Sequence, residues 1–256
     1  MDLRYVVKEN DCYTNVKEVL KAYFHISDRL LLKLKNSKNI FLNGEPTYVK
    51  LKGTIEVNNT INVPEKKNIM LVAAEDNTTI KRVAGFTESM FTVNGGNLQM
   101  AGSAEDAATG AVDSTLIVDG TGEGVTGSIV EVISGNYALS DGATLTGNTT
   151  TGDGSAINNS ANAYLLGGTI TANSTAGNGG AINNAAGANV YLQNGTITAN
   201  SAAAGGAIYS EGTVNIQGTL SVTGNTVTNS FEATSNLVLA KDGVINVSGA
   251  VTGSAI

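Results

Sequence analysis

The sequence predicts an all-β fold, a parallel β-helix of stacked coils, over residues 53–256, preceded by a small α+β segment over residues 1–52. Three observations carry this expectation. Blocks of sequence recur at intervals of 25 to 27 residues, and self-similarity at such a period marks a stacked repeat architecture. The repeats hold short alternating pieces such as Val190-Tyr-Leu, Val214-Asn-Ile and Thr196-Ile-Thr, a period of two rather than 3.6. Gly supplies 31 of 256 residues while Pro supplies 2, which suits many tight turns between short strands and not a flexible linker, and there is no Gly-X-Y period for collagen.

The blocks Gly154-Ser-Ala-Ile-Asn-Asn159, Gly179-Gly-Ala-Ile-Asn-Asn184 and Gly205-Gly-Ala-Ile-Tyr-Ser210 place Ala at 156, 181 and 207. A second block follows as Thr169-Ile-Thr-Ala-Asn173, Thr196-Ile-Thr-Ala-Asn200 and Ser221-Val-Thr-Gly-Asn225, with an earlier copy Thr144-Leu-Thr-Gly-Asn148. Stacking like on like turns Ile157, Ile182 and Ile208 inward on one face, and Leu145, Ile170, Ile197 and Val222 inward on another. A coil of about 25 residues gives roughly eight coils over the region. Asn148, Asn173, Asn200 and Asn225 are expected to align at a turn, where Asn tolerates left-handed backbone and its amide bonds the coils above and below. Thr144/Thr146, Thr169/Thr171, Thr196/Thr198 and Ser221/Thr223 flank the inward residues and are expected to form a flat outward face. Such a face is open to three readings: exposed strand positions, weak carbohydrate or protein contacts, or ice binding.

The Gly-Gly-Ala-Ile and Ile-Thr-Ala-Asn blocks resemble the right-handed parallel β-helix repeats of bacterial surface proteins, including adhesin-like proteins and the polymorphic outer-membrane proteins. The resemblance is clear over residues 145–227. It weakens over 54–144, in pieces such as Met90-Phe-Thr-Val-Asn-Gly-Gly96. It implies a pectate-lyase-like solenoid, a secreted or cell-surface setting and a cell-surface or carbohydrate ligand.

The N-terminal segment reads differently. Val16, Val19, Leu20, Tyr23 and Phe24 have helical spacing. Ser27 suits the N-cap of a second helix carrying Leu30, Leu31 and Leu34. Asn43-Gly44 suits a hairpin turn between Ile40-Phe-Leu and Thr47-Tyr-Val. The runs Asn15–Leu20, Ile26–Leu30 and Ile40–Gly44 resemble the α-L RNA-binding motif found in ribosomal small-subunit protein four and before many bacterial pseudouridine synthases. That resemblance implies a cytoplasmic setting and places Arg29, Lys33, Lys35 and Lys38 against RNA phosphates. The motif's final strand is missing after Lys52, and no synthase domain follows. The alternative is a lid over the first coil. The joining of two such unlike modules also fits a misjoined reading frame.

Charge divides the chain the same way. Residues 1–82 hold 14 Lys and Arg against 10 acids, whereas residues 83–256 hold one cation, Lys241, against 12 acids. A β-helix lyase needs a cationic base, and none lies between Val83 and Ala240. A glycan hydrolase needs only paired carboxylates. The candidates are Glu105-Asp106, Asp113, Asp119, Glu123, Asp141 and Asp153, of which only Asp119 and Asp141 have a spacing that suits stacking. The expectation is therefore a non-catalytic module, with glycan cleavage as the distant alternative. No metal site or cofactor is expected: His25 is the only His and Cys12 the only Cys. No apolar run reaches the roughly 18 residues of a membrane span, and the first 25 residues lack a signal-peptide core. The chain ends at Gly253-Ser-Ala-Ile256 without a capping segment, as a truncated rod would.

Overall fold

The computed structural model describes residues 47–103, 114–228, 234–240 and 242–254. These residues form an all-β parallel solenoid and contain no helix. Three stacks of strands make its walls. The first begins with Thr47–Leu51 and Asn68–Ala73, the second with Thr54–Val57 and Thr78–Arg82, the third with Ile61–Pro64 and the start of Phe91–Ala101. Each strand pairs in parallel with its counterpart one coil on. A short fourth ladder, from Thr149–Thr150 to Thr226–Val227, lines the corner between the second and third walls.

About seven coils result, and Val244–Ser254 opens one more. The expected eight coils assumed a uniform length. Asn97 and Asn136 are instead neighbours across 39 residues, because the chain between the first and second walls is longer there. Among the described residues the stack begins at Thr47, ahead of the boundary drawn at residue 53. Thr47–Leu51 pairs in parallel with Asn68–Ala73, and Leu51 joins the core.

The repeats occupy the predicted register. Ile157 pairs with Ile182 and Ile182 with Ile208. Leu145, Ile170, Ile197 and Val222 form a second column. All seven are buried within one continuous core, and each contributes roughly 1.5–3 kcal/mol of apolar burial. The Gly-Gly-Ala-Ile block has a steric cause. Gly154, Gly179 and Gly205 have φ of 66°, 69° and 64°, and a Cβ on any of them would lie 2.2–2.3 Å from the carbonyl oxygen of Ile157, Ile182 or Ile208.

Asn148, Asn173, Asn200 and Asn225 form the expected ladder, fully buried. The backbone N–H of Asn148, Asn173 and Asn200 donates to the side-chain oxygen of the next Asn at 3.0–3.1 Å. The amides of Asn173 and Asn200 donate to the same oxygens, and also to the carbonyls of Leu145 and Thr171, and of Ile170 and Thr198. One detail differs from expectation. The left-handed residue is the one before each Asn: Gly147, Ala172, Ala199 and Gly224, with φ of 76°, 55°, 55° and 66°. That single residue bends the chain at the corner and aims the Asn side chain inward, where its amide satisfies carbonyls that water cannot reach.

A second buried polar ladder runs through Asn159, Asn184 and Ser210. Asn159 Nδ2 donates to Asn184 Oδ1 at 2.8 Å, and Asn184 Nδ2 to Ser210 Oγ at 2.9 Å.

The early coils solve the same problem with different residues. Arg82 is 2% exposed. Its Nε donates to Gly120 O at 2.9 Å, Nη1 to the carbonyls of Phe86 and Glu88, and Nη2 to Asn148 Oδ1 at 3.3 Å. The guanidinium also lies 5.2 Å from the Phe86 ring centre, a cation–π distance. Gly120 and Gly122 make the room: a Cβ on Gly120 would meet Asn148 Cβ at 2.7 Å, and one on Gly122 would meet Arg82 Cδ at 2.8 Å. Burial pushes the Arg82 pKa down to about 10, so the group stays cationic at neutral pH. Arg82 therefore ends the Asn ladder, supplying Asn148 with the donor that an earlier Asn would have supplied.

Candidate functional site

The interior is filled, so contact chemistry lies on the outward side chains of the walls. On the second wall Thr144, Thr169, Thr196 and Ser221 form one outward column and Thr146, Thr171, Thr198 and Thr223 a parallel one. Hydroxyls there repeat at about 4.8 Å along the axis and about 6.8 Å across a strand. In the earlier coils the second column becomes Asp119, Lys81 and Glu56. Lys81 Nζ lies 3.9 Å from Asp119 Oδ2. The two hydroxyl columns thus run side by side over the four coils of the clear repeats, while Thr54, Thr79 and Ser254 continue the first column alone.

The first wall carries a different surface, which the repeat reading passed over. Asn68, Asn97, Asn136, Asn162 and Asn189 succeed one another in register. Asn136 Nδ2 donates to Asn97 Oδ1 at 2.6 Å, and Asn189 Nδ2 to Asn162 Oδ1 at 3.2 Å. Two residues further along the strands lie Ala138, Tyr164, Tyr191, Asn215 and Asn246. The Tyr164 and Tyr191 rings stack at 4.5 Å between centres and 6° between planes. Loss of solvent, and then the neighbouring Tyr191, raise the Tyr164 pKa, so its hydroxyl is neutral at physiological pH. Around the corner, on the third wall, Asn183 Nδ2 donates to Asn158 Oδ1 at 3.0 Å, and Tyr209 follows in register. Rows of Asn158, Asn162, Tyr164 and of Asn183, Asn189, Tyr191 thus make an uncharged, half-buried surface of amides and phenols. Its signal was in the sequence as Asn162-Ala-Tyr-Leu165 and Asn189-Val-Tyr-Leu192. Alternation puts Asn and Tyr of each piece on the same side.

Among the described residues, the candidate pair Asp119 and Asp141 does not come together. Asp119 stands on the second wall in register with Thr146, whereas Asp141 lies in the turn between the first and second walls, where it abuts Gly167. These two do not stack, because the strand position of one coil is a turn position in the next. Asp119 Oδ1 accepts the Thr121 N–H at 2.9 Å, the ordinary work of a turn aspartate, and Asp153 Oδ1 accepts the Asn178 N–H of the next coil at 2.7 Å. Glu123 lies in the loop after Leu116–Asp119. Glu105, Asp106 and Asp113 fall outside the described residues, as do Lys241, His25, Cys12 and the proposed RNA contacts Arg29, Lys33, Lys35 and Lys38. Among the described residues no three His, Cys, Asp or Glu side chains are placed to hold a metal ion, and no helix is long and apolar enough to cross a membrane.

The chain matches no family profile, no curated protein and no solved structure.

Proposed function

We propose that this protein is a non-catalytic binding module of the adhesin-like kind, a rod that presents side-chain ladders to a neutral glycan on a surface. The observation that carries this reading is the amide and phenol surface of Asn158, Asn162, Tyr164, Asn183, Asn189 and Tyr191. Amides supply donors and acceptors in pairs, matching the hydroxyls of a sugar, and a tyrosine pair offers an apolar body with a polar edge. The described Asp119 and Asp153 carboxylates already accept backbone N–H groups, which favours binding over hydrolysis.

The test is a glycan array probed with labelled protein, with reducing-end release measured on every glycan that binds. The expected result is binding without release, lost in Tyr164→Ala/Tyr191→Ala and kept in Thr171→Ala/Thr198→Ala. Release of reducing ends would replace binding with hydrolysis. Binding that follows the threonines instead would move the site to the second wall.

The uneven charge favours a second reading, RNA binding through residues 1–52. Replacing Arg29, Lys33, Lys35 and Lys38 with Gln would then abolish a salt-dependent RNA shift, and leaving the shift unchanged would remove this reading.

A further inference from the structure

One column of outward side chains on the first wall has a gap. Gln99, Ala138, Tyr164, Tyr191 and Asn215 succeed one another in register. Tyr191 stacks on one face of the Tyr164 ring at 4.5 Å between centres, and Asn215 follows Tyr191. On the other face of Tyr164 the next residue is Ala138, which points outward because Tyr137 and Leu139 beside it are buried in the core. Its methyl group reaches far less from the wall than the tyrosine ring one coil on, and Ala138 stays partly exposed between two larger neighbours. Gln99 does not fill the space. Its Nε2 donates to Ser140 Oγ at 2.9 Å, which draws the amide along the strand toward that buried hydroxyl. A notch is left, floored by the Ala138 methyl and roofed by the Tyr164 ring.

The amide row beside it breaks at the same level. Asn136 bonds Asn97, and Asn189 bonds Asn162, but Asn136 and Asn162, although partners in register, do not bond each other. Among the described residues Asn136 Oδ1 has no donor and Asn162 Nδ2 no acceptor. A free acceptor and a free donor therefore stand about 4.8 Å apart along the axis, beside an open ring face, on strand segments without a charge.

We propose that this notch is a subsite for one pyranose ring of a neutral glycan. The proposal rests on the glycan reading above and narrows it to a single ring at a single place. A ring on the free face of Tyr164 takes the position of a third tyrosine, at a separation of about 4.5–7 Å, usual for rings in contact, and the C–H face of a pyranose supplies the apolar surface. Two neighbouring hydroxyls then meet the amide row, one donating to Asn136 Oδ1 and the other accepting from Asn162 Nδ2. A flat aromatic ligand would fill the notch but leave both amides unanswered, and an anionic sugar would find no cation there.

The test is saturation-transfer NMR on the 256-residue chain with the methyl pyranosides of glucose, galactose, mannose and N-acetylglucosamine, and with phenol as a ring without neighbouring hydroxyls. At least one pyranoside is expected to receive saturation. Ala138→Tyr fills the notch with the residue found one coil on and is expected to abolish the transfer. Asn136→Ala/Asn162→Ala alters only partly exposed side chains, so it reports on the subsite even if the first variant fails to fold. It is expected to weaken binding about five-fold for each hydrogen bond lost, whereas Thr171→Ala on the second wall leaves binding unchanged. Pyranoside binding untouched by the Ala138 or the Asn136/Asn162 substitutions, preference for phenol over every pyranoside, or no transfer to any pyranoside would each overturn the subsite. The wider reading is judged separately. Array binding that needs Tyr164 and Tyr191 yet ignores Ala138→Tyr keeps that reading and discards the notch, whereas an array without binding removes both.

Discussion

The coils from Thr144 to Val227 and those from Thr47 to Ala143 share one backbone plan but fill it by opposite rules. The later coils repeat themselves: Ile on Ile, Asn on Asn, Thr on Thr. The earlier coils repeat far less, chiefly the Asn68, Asn97 and Asn136 row and the Val63, Val93 and Val132 column. Their core mixes Met90, Phe91, Met100 and Tyr137, and their buried corner is held by one arginine instead of a row of amides. Sequence periodicity is therefore one sufficient route to a solenoid. What both regions share is a buried polar group that answers the carbonyls of each turn and apolar side chains that fill the middle.

The sharpest test of that contrast is Arg82→Leu. It removes the donor from the carbonyls of Gly120, Phe86 and Glu88 and from Asn148 Oδ1 at once. Losing the partner of several buried acceptors should cost about 3–5 kcal/mol, read as a lower urea midpoint. Asn200→Ala comes next. It strands the carbonyls of Ile170 and Thr198 but leaves the other rungs in place, so about 2–3 kcal/mol is expected. If the two substitutions cost the same, the arginine is no more than another rung. Ile182→Val trims one methyl group from a column of like residues and should cost about 0.5–1.5 kcal/mol. The smallest effect has the opposite sign. Ala172→Gly and Ala199→Gly replace left-handed alanines with the residue found at Gly147 and Gly224, and each should stabilise by a few tenths to about 1 kcal/mol. A loss of stability there would show that the methyl groups pack better than their backbone angles suggest.

What the sequence disclosed follows the same division. The inward Ile columns, the Asn ladder and the Thr columns were legible, because each is a property of one residue type at a fixed interval. The Tyr164/Tyr191 surface was legible in principle, since Asn-x-Tyr-Leu recurs, but two copies give a weaker signal than four. The left-handed alanines were not legible: Ala has no preference for that region, and only the glycines at equivalent positions hinted at it. Arg82 was the least visible. Its partners lie up to 66 residues away and are mostly backbone carbonyls, which leave no trace in composition. The pairing of Asp119 with Asp141 failed because their spacing was close to a coil length, while coil lengths in that region vary.

The arginine has a consequence for how the chain finds its register. Identical coils are interchangeable to a folding chain. A strand that docks one repeat too far still places Ile on Ile and Asn on Asn, and only a looped-out coil records the mistake. Such slips are the hazard of uniform strands, and the later coils mark their rungs only by small exchanges such as Asn183 to Tyr209 and Asn184 to Ser210. Arg82 fits a single address. It needs the space left by Gly120 and Gly122, and then, at that corner, an amide oxygen with no asparagine beneath it, which Asn148 provides. A slipped stack would bury this cation against the wrong groups, a penalty far larger than that of a misplaced methyl group. The one irregular residue is what numbers the regular ones.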